Sequence, residues 1–128
     1  MSAPRPSGAT AGHPDPAMVL SKAVLRAADL LELPQATLAR ILGLSPASVS
    51  RLRQGKLQLE PDSKPGELGL LLVRLFRSLD SIVGCNEASR AWLGSQNHGL
   101  NGAPRDLILK PQGLVHVVDY LDAHRARG

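Results

Sequence analysis

Arg40, Arg51, Arg53 and Lys56 are the only charged side chains in the stretch QATLARILGLSPASVSRLRQGK, Gln35 to Lys56, and all four are basic. Ser45, Ala47, Ser48 and Ser50 are interleaved with them. A guanidinium matches phosphate oxygens or the two major-groove acceptors of guanine. A serine hydroxyl bonds to either, and an alanine methyl can meet a thymine methyl. This set is suited to duplex DNA, with Ser45, Ala47, Ser48, Ser50 and Arg51 at base edges and Arg40, Arg53 and Lys56 at phosphates. The plainer alternative is a solvated basic surface in which Ser45 and Pro46 serve only as helix caps.

Other chemistry finds no support in the residues. The histidines are His13, His98, His116 and His124, and Cys85 is the only thiol. No pair of these has metal-ligand spacing, so no metal site is expected. There is no glycine-rich phosphate loop and no nucleophile elbow, and neither Ser45 nor Ser48 has a nearby base in sequence. The expectation is a protein that is not an enzyme and carries no cofactor.

The elements that must position the basic set follow from periodicity. Leu20, Val24, Ala27, Ala28 and Leu31 form one apolar face of a helix over about 17–31. Pro34 opens a second helix to Leu42, closed by Gly43; Ser45-Pro46 opens a third, ended by Gly55. Two short helices joined by a tight turn, the second polar and basic, make a helix-turn-helix. A proline-containing linker is expected over 57–67. An amphipathic helix follows over about 67–83, with Leu68, Leu71, Leu72, Leu75, Leu79 and Ile82 at helical spacing. That helix joins the two halves and is a candidate dimer seam. Asn86 is expected to cap a short helix through Trp92. An uncharged loop spans 94–103, Pro104 to about Leu109 makes one or two helical turns, and a last helix runs from Pro111 to about Arg125.

Bulk properties agree with this outline. The 128 residues suffice for one compact domain or two small ones sharing a core. Phe76, Trp92 and Tyr120 are the only aromatics, so Leu, Val, Ile and Ala must build the core, which suits packed helices. So few rings also argue against a stacking platform for single strands. Net charge is +4, equal to what the 35–56 window alone carries, so the rest of the chain balances. A lone cysteine excludes an internal disulfide, and no apolar run is long enough to span a membrane. A cytoplasmic location is the expectation, with no membrane partner.

The second half carries an ordered string: Ala88-x-x-Ala91-Trp92-Leu93, then Asn97, Leu100, Gly102, Pro104, Leu107, Gly113, Val117-Val118 and Leu121. Together with the helix-turn-helix, this resembles the Xre/MbcA/ParS antitoxins over residues 18–128. The helix-turn-helix is generic, whereas the tryptophan, asparagine and G-x-P in order are specific. Two features depart from the family pattern: Arg105-Asp106 after Pro104, where an apolar residue is usual, and the basic ending HRARG. The resemblance implies a type II toxin–antitoxin pair. Its partner would be a RES-domain toxin that degrades NAD or transfers its ADP-ribose, held inactive by covering of the active-site cleft. It also implies repression of the chain's own operon. Trp92, Leu93, Asn97, Leu100 and Pro104 are the implied toxin-binding residues. Arg125 and Arg127 are implied near the toxin's NAD pocket, where guanidinium groups suit a pyrophosphate. From the residues alone, Trp92, Leu93, Leu100 and Leu107 read most simply as core, and Asn97 and Gly102 as loop-shaping residues.

The expectation is therefore an all-α protein. Residues 1–16 form a disordered tail, 17–60 an Xre-like helix-turn-helix DNA-binding region, and 61–128 a small helical toxin-binding and dimerisation region. Four phosphate or base candidates per copy are too few for tight binding by a monomer. A homodimer within a toxin–antitoxin hetero-oligomer is expected, bound to operator DNA of its own promoter. The alternatives are a stand-alone helix-turn-helix repressor with a C-terminal dimerisation domain, and an adaptor whose helix-turn-helix is vestigial.

Overall fold

The computed structural model describes residues 15–127, the Arg127 side chain excepted. Of the expected tail 1–16, residues 1–14 lie outside the described residues, whereas Asp15 and Pro16 belong to the start of the first helix as its cap and first residue. Among the described residues seven helices follow one another: α1 (Pro16–Leu30), α2 (Gln35–Leu42), α3 (Pro46–Arg53), α4 (Lys64–Val83), α5 (Asn86–Gly94), α6 (Pro104–Leu107) and α7 (Pro111–Arg127). Among the described residues the only β pairing is an isolated bridge between Asn97 and Gly102. The fold is all-α, with the helix-turn-helix first. No described helix is long and apolar enough to cross a membrane.

Local chemistry sets the helix-turn-helix. Asp15 accepts the Ala17 N–H at 3.0 Å, and Pro16 occupies the first turn, so α1 starts at Pro16. α2 ends on Gly43 at φ +71°, a left-handed conformation that glycine adopts without a steric cost. The N–H groups of Gly43 and Leu44 return to the carbonyls of Arg40 and Ala39, closing a Schellman turn. Ser45 then accepts the Ser48 N–H at 3.1 Å and launches α3. α3 ends the same way as α2: Gly55 is at φ +77° and the Lys56 N–H donates to the Arg51 carbonyl at 2.9 Å.

Two expectations are corrected. The stretch 57–67 is not a plain linker, because α4 begins at Lys64, with Ser63 accepting the Gly66 N–H. Pro65 sits in the first turn, where a backbone N–H would lack an intrahelical partner anyway. Leu59 is buried, and its N–H donates to Ser21 Oγ at 2.8 Å, which in turn donates to the Ala17 carbonyl. The second correction concerns α5. Asn86 is its first residue rather than its cap; Cys85 holds the cap position and offers no side-chain bond.

α4 is the central strut. It packs against α1, α2, α5 and α7. A Cβ at Gly69 would lie 2.9 Å from Val24 Cγ2, so the close approach of α1 to α4 depends on that glycine. Leu72, Leu75 and Leu79 from α4 and Leu114, Val117, Val118 and Leu121 from α7 are buried in one core that also holds Leu38, Ile41, Leu42, Val49 and Leu52. Each large aliphatic side chain so buried stabilises the fold by about 1.5–3 kcal/mol. A polar clamp reinforces the α4–α7 contact. Asp122 accepts Ser78 Oγ at 2.8 Å and Arg74 Nη2 at 2.6 Å. The Ser78 hydrogen bond, then the bond and charge of Arg74, hold the Asp122 carboxyl below its ordinary value of 3.8, against an opposing effect of partial burial.

Candidate DNA-facing and partner-facing surfaces

The helix-turn-helix buries Leu38, Ala39, Ile41 and Leu42 of α2 and Val49 and Leu52 of α3. Burial of that face turns the polar residues outward. Arg40, Ser45, Ala47, Arg51 and Lys56 are exposed, and Ser48 and Ser50 are half-buried. Ser48 is tied to the cap through Ser45 Oγ, with an Oγ–Oγ distance of 3.1 Å. Ser50 Oγ accepts Gln35 Nε2 at 2.8 Å, and the same nitrogen donates to the Pro46 carbonyl at 3.1 Å. Gln35 thus laces the start of α2 to α3 and fixes their crossing. Arg53 is exposed but engaged: its Nη2 lies 3.0 Å from Asp29 Oδ1 at the end of α1. Arg40, Arg51 and Lys56 make no ion pair among the described residues.

The C-terminal string separates into surface and core. Leu93 and Leu100 are each 3% exposed, and Pro104 is buried at the head of α6. These three shape the region from beneath and are closed to direct contact in this conformation. Trp92 and Asn97 are half-buried and Arg125 is exposed. Asn97 Oδ1 accepts the Leu100 N–H at 3.2 Å, while its backbone pairs with Gly102, so the side chain folds the 96–102 loop. Arg125 is 3.9 Å from Asp122 Oδ1. The Arg127 side chain lies outside the described residues.

Trp92 stacks on Tyr120 with ring centroids 6.4 Å apart, and Tyr120 meets His124 at 4.2 Å. An aromatic row therefore runs from α5 across α7, bordered by the 96–102 loop. A Cβ on Gly99 of that loop would lie 2.8 Å from Tyr120 Cε1. Beside the loop, Gln96, Asn97, His98, Asn101 and Gly102 line an open hollow of about 300 Å³. Among the described residues no three His, Cys, Asp or Glu side chains group as metal ligands.

Sequence reasoning missed four residues that contact the candidate site residues or extend their row: Gln35, Asp29, Tyr120 and His124. Tyr120 and His124 are four apart on one helix, where side chains meet, so that pair had a readable signal. Asp29 and Gln35 act across long sequence separations and had none.

A helix-turn-helix with Arg40, Arg51 and Lys56 exposed is joined, on one core, to a helical region bearing an aromatic row, the layout of a helix-turn-helix protein with a second candidate surface. Residues 11–74 match the antitoxin Xre-like helix-turn-helix domain, and residues 78–127 match the antitoxin Xre/MbcA/ParS C-terminal toxin-binding domain. The chain belongs to the Xre/MbcA/ParS antitoxin family. Its toxin-binding domain implies a toxin partner, and its helix-turn-helix implies DNA. No curated protein matches the chain.

Proposed function

We propose that this antitoxin neutralises a RES-domain, NAD-using toxin by covering its active site, and that it represses its own operon in the cytoplasm as a homodimer on DNA. The observation that carries this reading is the pairing, on one core, of a toxin-binding domain with an α3 whose basic residues are exposed. On the DNA side, Ser45, Ala47 and Arg51 reach base edges, with Ser48 and Ser50 behind them. Arg40 and Lys56 meet phosphates, and Arg53 joins them on release from Asp29. Two copies place two α3 helices in successive major grooves, about 34 Å apart.

On the toxin side, Trp92 supplies a large rigid contact and Arg125 and Arg127 a cationic end. Buried aromatics and arginines dominate most interface energies, and guanidinium groups suit an anionic pyrophosphate. Asn97, Leu93, Leu100 and Pro104 hold this surface in shape.

Co-expression with the toxin of the neighbouring gene tests the proposal. Rescue of growth, a co-purifying complex and restored cellular NAD are expected. Deleting residues 125–128 should restore toxin activity while leaving salt-dependent operator binding intact. Unrelieved toxicity alongside normal operator binding would return the chain to a stand-alone repressor.

A further inference from the structure

Val19 and Leu70, two of the exposed large hydrophobic residues beside Met18, Ile82 and Val115, lie on a groove between α1 and α4. Val19 and Leu70 are 50% and 51% exposed, and with Ala23 and Val73 they line a groove of about 420 Å³. The spacing Val19–Ala23 on α1 and Leu70–Val73 on α4 gives each helix one apolar edge on the groove. A second depression of about 140 Å³ shares Ala23, Val73 and Arg77 and continues the groove toward Arg26 and Phe76. From Pro16 to Arg26 the helix rises about 15 Å, which sets the groove's length.

The two ends of the groove differ in charge. Pro16 and Pro61 close one end, and the exposed Asp15 and Asp62 adjoin them in sequence. Arg26 and Arg77, both exposed, flank the other, and neither is ion-paired among the described residues. An apolar channel with an acidic end and a basic end complements itself when a second copy is turned end for end. That is the arrangement a two-fold axis produces. Residues 1–14 fit less well as an occupant, because they contain Arg5 and no acid to answer Arg26 and Arg77.

We propose that the α1–α4 groove is the homodimer seam of this antitoxin. Two copies pack groove to groove, with Arg26 and Arg77 of each facing Asp15 and Asp62 of the other. The assignment rests on the homodimer reading above and gives it a surface. The two-fold axis passes near Ala23 and Val73, at mid-groove.

Sedimentation of the full chain across concentrations tests it. The wild type is expected at twice its 13.6 kDa chain mass. Val19→Asp and Leu70→Asp should each weaken dimerisation by roughly 30-fold or more, as interface-centre changes do, with helical content unchanged because both sites are exposed. Arg77→Glu should also dissociate the dimer, and the double variant Arg77→Glu, Asp62→Arg should restore it. A wild type that stays monomeric overturns the dimer reading and this seam together. A dimer indifferent to Val19→Asp and Leu70→Asp overturns the seam alone. So does loss of toxin co-purification in those variants without loss of the dimer, which would assign the groove to the toxin. Failure of the charge swap to rescue overturns the end-for-end packing.

Discussion

Arg53, the last residue of α3, is held by Asp29 near the end of α1 at 3.0 Å. The ion pair crosses 24 positions of sequence and engages one of the four cations that the basic window offers to DNA. Arg51 and Arg53 are therefore not equivalent. Arg51→Ala should cost about 1–3 kcal/mol of operator binding and relax base preference at one position. Arg53→Ala should cost less than about 1 kcal/mol, because the pair it leaves is a solvated one. Fluorescence anisotropy titrations on operator and scrambled duplexes read both.

Asp29→Asn frees Arg53 for phosphate. Operator affinity should rise, and the slope of log affinity against log salt should steepen by about 1. Thermal stability should change by under about 1 kcal/mol, since the carboxylate is 62% exposed. A fall in affinity would show that Asp29 orients α3 rather than restraining it.

The Asp122 clamp gives a pH dependence of defined sign. Its folded-state pKa is lowered, by the Ser78 hydrogen bond first and Arg74 next. The unfolded chain therefore takes up the proton before the folded one does, and the clamp's contribution is fully present above the ordinary value of 3.8. It is lost as pH falls through the lower folded value. Asp122→Asn should be less stable than wild type at pH 7 in urea melts, and the gap should narrow as pH falls below 3.8.

Trp92 and Leu93 are adjacent in sequence and opposite in consequence. Leu93→Ala removes a buried side chain and should cost about 2–5 kcal/mol of fold stability. Trp92→Ala should weaken the toxin complex by more than it weakens the fold. Calorimetric melts beside complex titrations separate the two. Equal losses in both columns for Trp92 would make it a core residue only.

Gly113 reports on the junction of α6 and α7. A Cβ there would fall 1.9 Å from the Leu107 carbonyl oxygen, closer than any backbone atom tolerates. Gly113→Ala should cost roughly 1–3 kcal/mol through forced displacement of that turn. Toxin binding should suffer first, measured by pull-down at a temperature where circular dichroism still shows a folded chain.

The local signals of the helix-turn-helix could be read directly. Gly43, Ser45-Pro46 and Gly55 each act within three or four residues of themselves, and each sits where its backbone chemistry requires. The order of Trp92, Asn97 and Pro104 likewise pointed to the toxin-binding region. What escaped was long-range or contextual. Lys64–Gly66 reads as loop because two of its three residues are helix breakers, yet Ser63 caps a helix there. Leu59 becomes core only because Ser21, 38 residues earlier, accepts its N–H. That Trp92 is half-buried against Tyr120 of α7 while Leu93 is buried where α5 packs on α4 and α6 depends on tertiary packing, which no local pattern encodes.

Because α4 forms a wall of both the helix-turn-helix and the toxin-binding region, the two activities share one unfolding event. Under the proposed function, a protease that catches the chain with α4 released would strip the promoter and unleash the toxin together. Loss of the antitoxin would then be sensed twice at the same instant, and neither response could be tuned by degrading only half of the molecule.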